Sequence, residues 1–61
     1  PFDDATVERA ARALHPRTWN DKAWVPVYFG ETAEERRAIL RAESLEAARA
    51  VLAAAVKEEQ A

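Results

Sequence analysis

The stretch TAEERRAILRAESLEAARAVLAAAVKE, from Thr32 to Glu58, holds neither glycine nor proline and places a strong helix former at nearly every position. It predicts one long helix. Thr32 and Glu35 have the spacing of a capping box, and Glu31 and Glu34 put negative charge where a helix dipole is positive. From Ala33 to about Glu58 such a helix spans about 39 Å at 1.5 Å per residue.

The apolar phase shifts along this helix. Leu45, Ala48, Leu52, Ala55 and Val56 share one stripe, with Leu40, Ala47 and Val51 beside it. Ile39 falls about 120° away at 100° per residue, and Arg37 and Arg41 project into the stripe's face instead. Either the helix breaks near Ser44, which would cap a new start, or it stays whole and its halves face different neighbours. Serine is a weak breaker among strong formers, which favours the whole helix.

Upstream, Phe2 to Leu14 reads as a first helix, with Val7, Ala10, Ala11 and Leu14 on one face. Asp3 is suited to the N-cap, and Phe2 before it to a hydrophobic staple on Val7. His15 precedes Pro16, a position biased away from helical dihedrals, and ends the helix. Between the helices, Pro16 to Gly30 holds both tryptophans, the only tyrosine and two of the three prolines. Thr18 and Asp21 are spaced to start one short helical turn through Trp24. Val25 to Phe29, interrupted by Pro26, reads as an extended apolar connector ended by Gly30.

The sequence therefore predicts an all-α helical hairpin: a short N-terminal helix, an aromatic, proline-containing linker and a long C-terminal helix. The 61 residues leave room for a single small domain and contain no internal repeat. A chain this short buries only about 60% of the surface that it exposes when unfolded. With no cysteine and one histidine, neither a disulfide nor a zinc site is expected to staple the core, which leaves association with another chain. A twelve-residue helix, roughly, cannot cover one of about 26, so the face from Leu45 to Val56 is expected to be partly bare and to self-associate. Its residues Leu45, Ala48, Leu52 and Ala55 are the candidate contacts, alanine letting another helix approach closely.

The net charge of −2 arises from nine basic against eleven acidic residues mixed along the chain, which argues against a main affinity for phosphate backbones. No apolar run approaches the roughly 20 residues that span a bilayer, and no signal-peptide pattern opens the chain. A cytoplasmic protein without a membrane role or cofactor is expected.

Catalysis finds little support in the residues. His15 is expected to have no serine, cysteine or carboxylate pair nearby, and a triad needs nucleophile, base and orienter together. Pro1 suggests the N-terminal proline base of small tautomerases, but their chain opens with a strand where this one reads as helix. The carboxylates sit where caps and solvated faces put them. Arg36, Arg37 and Arg41 could form a basic surface for DNA if Thr18 to Trp24 were helical and completed a helix-turn-helix variant. Otherwise they pair with nearby acids such as Glu31 and Glu35.

The aromatic cluster Trp19, Trp24, Tyr28 and Phe29 is the strongest single signal. Its members either fold over the helices to supply bulk that alanine lacks, or stay exposed as anchors for a protein partner. A fragment of a larger protein would give the same pattern, the aromatic segment then packing on further chain. The runs VERAARAL (Val7–Leu14), ERR (Glu35–Arg37) and AARAVL (Ala47–Leu52), with tryptophan in the linker, resemble short Ala/Arg-rich helical proteins of actinobacterial phages. That resemblance implies residence in a host cytoplasm and no particular activity. The expectation is a non-enzymatic accessory protein that binds another protein, as a homo-oligomer.

Overall fold

The computed structural model describes residues 2–60 and contains two helices, α1 (Asp4–Leu14) and α2 (Ala33–Gln60), with no strand among those residues. α2 runs unbroken through Ser44 over 28 residues. At about 42 Å it sets the length of a molecule measuring 46 × 19 × 16 Å. Its start is the expected reciprocal cap: the Glu35 N–H donates to Thr32 Oγ1 at 3.1 Å and the Thr32 N–H to Glu35 Oε1 at 3.0 Å.

α1 begins at Asp4 rather than Phe2, because Asp3 is the cap: its backbone is extended and its carboxylate accepts the Thr6 N–H at 2.8 Å. At the other end the His15 N–H returns to the Ala11 carbonyl at 2.9 Å before Pro16 turns the chain away. The proline-base idea concerned Pro1, which lies outside the described residues; helix follows directly from Asp4.

The helices pack antiparallel, with Asp4 beside Arg49 and His15 beside Ser44. Ala11 and Ala48 are both wholly buried, and with Val7 they form the centre of the core. Phe2, Ala10, Trp19, Leu45 and Leu52 pack around that centre, whereas Leu14, expected on the inner face, stays largely exposed.

This arrangement corrects the reading of the α2 stripe. Ala48, with Leu45 and Leu52 beside it, is occupied by α1 and is not an outward contact surface. What remains open on the stripe is its far end, Ala55 and Val56, with Val51 at its edge. The phase shift is resolved by two neighbours: α1 lies along Ser44 to Leu52, and the linker lies along Arg36 to Arg41.

The linker holds no helix. Successive turns carry it from Pro16 to Ala23, through Thr18 N–H to the His15 carbonyl, Asn20 N–H to Arg17 and Ala23 N–H to Asn20. Asn20, not Thr18, is the residue whose side chain shapes this segment, its Oδ1 accepting the Lys22 N–H at 2.9 Å. A third helix, which the helix-turn-helix variant required, is absent among the described residues.

Candidate functional site

The aromatic linker is fixed to α2 by side chains of two kinds. The first is Ser44, one turn N-terminal to Ala48 and only 3% exposed. Its hydroxyl accepts the indole N–H of Trp19 at 3.0 Å and lies 2.8 Å from His15 Nδ1. The hydroxyl also reaches the Ala11 carbonyl, to which it donates at 3.4 Å, while the direction of its bond with His15 follows from which imidazole nitrogen carries the proton. One buried oxygen thus joins the end of α1, the linker and α2.

This contact is a correction to the view of His15 as a residue without a serine nearby. The fold brings Ser44 to it across 29 positions of chain. The pair nevertheless lacks what nucleophilic attack demands. The oxygen keeps almost no surface, its lone pair holds the indole, and none of the ion pairs or hydrogen bonds found brings a carboxylate to His15. What the arrangement can do is brace the linker.

The second kind of tie is arginine. Arg41 Nε donates to the Thr18 carbonyl at 3.0 Å and its Nη2 to Asp21 at 2.6 Å, holding the Asp21 carboxyl below its usual range. Arg37 Nη2 donates to the Ala23 carbonyl at 3.0 Å, although its Nε is buried without a partner. Arg36 makes a two-pronged contact with Glu31, at 2.7 and 2.6 Å, and lies 4.4 Å over the Tyr28 ring. That contact raises the Arg36 pKa and, together with the Tyr28 N–H, lowers that of Glu31. Arg12 and Arg41 both sit over Trp19, at 5.0 and 5.4 Å.

The three arginines considered for DNA are therefore engaged with the chain itself, Arg37 and Arg41 with linker carbonyls and Arg36 with the Glu31 carboxylate. Their partners are only in part those expected. Glu31 is correct, but Glu35 caps the helix instead, and Asp21 comes from the linker.

The four aromatic residues separate into two groups. Trp19 is half-buried, belongs to the core and fulfils the packing role. Trp24 is 76% and Tyr28 63% exposed, while Phe29 retains essentially all of its surface. Phe29 owes this to a turn in which the Glu31 N–H bonds the Tyr28 carbonyl and Gly30 takes φ +87°, a value suited to glycine at the third position of a type II turn. The side chain at the second position is left at the corner. Between these aromatics Val25 is buried and Val27 about half exposed.

No helix among the described residues is long and apolar enough to cross a membrane, and no group of three or more acidic, histidine or cysteine residues among them is placed to hold a metal. Comparison with known protein families, with characterised proteins and with solved structures finds no match.

Proposed function

We propose that this chain is a non-catalytic accessory protein that binds another protein through the linker surface made by Trp24, Val27, Tyr28 and Phe29. One observation carries the reading. Three large aromatic side chains stand in solvent on a segment whose flanks are held, by Arg37 at Ala23 and by Arg36, Glu31 and the Gly30 turn beyond Tyr28. Exposed aromatics on an ordered support are the usual anchors of protein interfaces, because they offer large apolar area and have little freedom left to lose. A cytoplasmic setting and a phage origin belong to the same proposal and rest on composition and the resemblance alone.

A photoreactive phenylalanine analogue at Phe29, expressed in cells, tests the proposal against the same analogue at Glu46, an exposed position on α2. Protein adducts are expected from position 29 in clear excess, and to be lost when Trp24 is replaced by alanine. Equal yields from the two positions would count against it.

A further inference from the structure

We propose that two copies of this chain pair antiparallel along the outer face of α2, with Lys57 of each copy seated in a groove at Leu40, Glu43 and Ala47 of the other. The proposal goes beyond the linker reading and uses none of its residues. Leu40, Glu43, Ala47, Ala50, Ala54 and Lys57 recur at alternating steps of three and four, the spacing of a two-helix seam. At 3.6 residues per turn this seam lies about 130° round the helix from Ala48, where α1 packs. Leu40 and Ala47 are half-buried, the other four are exposed, and Val51 on the flank is 50% exposed.

Charge selects the occupant, since alanine alone would admit any helix. Between Glu43 and Lys57 the seam is uncharged. Neither of these two residues has an opposite charge three or four positions away, and among the described residues neither makes an ion pair. Arg36, on the same side of α2, is already held by Glu31 at 2.7 and 2.6 Å. A face with an acid toward one end and a base at the other complements itself only when reversed. A parallel pair would set Glu43 on Glu43 and Lys57 on Lys57, whereas an antiparallel two-fold joins Glu43 to Lys57 twice.

The register follows from the spacing. Ala47 meets Ala50 of the second copy, Ala54 meets Glu43, and Leu40 meets Lys57, each relation occurring twice. Helical side chains lean toward their own N-terminus, which for Lys57 of the second copy is the direction from Leu40 to Glu43. There a groove of about 310 Å³ is lined by His15, Thr18, Leu40, Glu43, Ser44 and Ala47. The lysine stem lies on Leu40 and the ammonium reaches the Glu43 carboxylate, the usual division of a long basic side chain. The two linkers, each beside Arg36 of its own copy, then stand roughly 40 Å apart. A dimer thus presents two aromatic surfaces to a partner with sites of matching span.

Sedimentation equilibrium from about 10 µM to about 1 mM, a range suited to a small transient interface, tests the proposal. The expected result is a shift from 6.8 kDa toward twice that mass, with the monomer prevailing at the dilute end. Glu43→Lys and Lys57→Glu, both at exposed positions, should each weaken association by about tenfold or more through like charges brought together. Carrying both changes in one chain restores opposite charges across the seam and should recover the parent affinity to within about threefold. A carbodiimide, which links a carboxylate directly to an amine in contact with it, gives a reading that needs no variant. It should join Glu43 to Lys57, and because these lie about 21 Å apart along one helix, the link can form only between copies. A monomer throughout the range, or a dimer without that link, overturns the proposal. So does a dimer indifferent to both reversals, or one that the double exchange fails to recover. Adducts from position 29 do not depend on this seam, so a strict monomer removes only this proposal and leaves the protein-binding reading to its own test.

Discussion

The indole N–H of Trp19 donates to the hydroxyl of Ser44, 25 residues further along the chain, at 3.0 Å. A serine inside a long helix is ordinarily a mild liability. Here it is the acceptor that decides which of two linker tryptophans turns inward, since Trp24 has no comparable partner and remains outside.

Ser44→Ala should therefore cost about 1–3 kcal/mol by leaving a part-buried indole N–H unpaired. Trp19→Phe in the Ser44→Ala background should cost less than in the parent. Urea melts of the four proteins give the coupling, and a value under about 0.3 kcal/mol would mean that the hydrogen bond contributes nothing.

Ala48 is wholly buried against α1, which leaves little room there for a larger side chain. Ala48→Leu is expected to destabilise by about 1–3 kcal/mol, while Ala54→Leu, on an exposed position of the same helix, should change stability by no more than about 0.5 kcal/mol. Equal effects at the two sites would show that α1 does not sit where it is described.

Acid should loosen the linker. Asp21 is held below its ordinary value of 3.8 by Arg41, Glu31 below 4.5 by Arg36 and then by the Tyr28 N–H, and Asp3 below 3.8 by Thr6. A carboxylate with a lowered folded-state pKa stabilises fully above its unfolded value and loses that contribution as pH falls through the lower one. Stability should thus be level with respect to these groups above about pH 5 and decline below about pH 4. The decline should be shallower in Asp21→Asn and Glu31→Gln. A urea midpoint that does not move between about pH 6 and about pH 3 would contradict the assignment.

Features set by neighbouring residues were legible in the sequence. The Thr32–Glu35 box, the Asp3 cap, the stop at His15 and the unbroken α2 all follow from short spacings, and all are present. The shift of apolar phase near Ile39 also pointed to a second neighbour for α2. What periodicity could not supply was the identity of each neighbour: a stripe through Leu45, Ala48 and Leu52 looks the same whether α1 or another protein covers it. The contacts of Ser44 and Arg41 join residues 20 to 33 positions apart, and no local pattern marks them. Among the aromatics, the separation of Trp19 from Trp24 depends on the path of the linker, which the turns around Asn20 determine.

The turn at Gly30 bears on how Phe29 would meet a partner. Its exposure is imposed by the backbone, since the corner of the turn points the ring away from everything else in the chain. An incoming surface would find the ring already in place rather than recruit it from a pool of loop conformers, and little chain entropy would remain to oppose docking. Gly30 never touches that surface, yet it would govern the rate at which productive encounters occur.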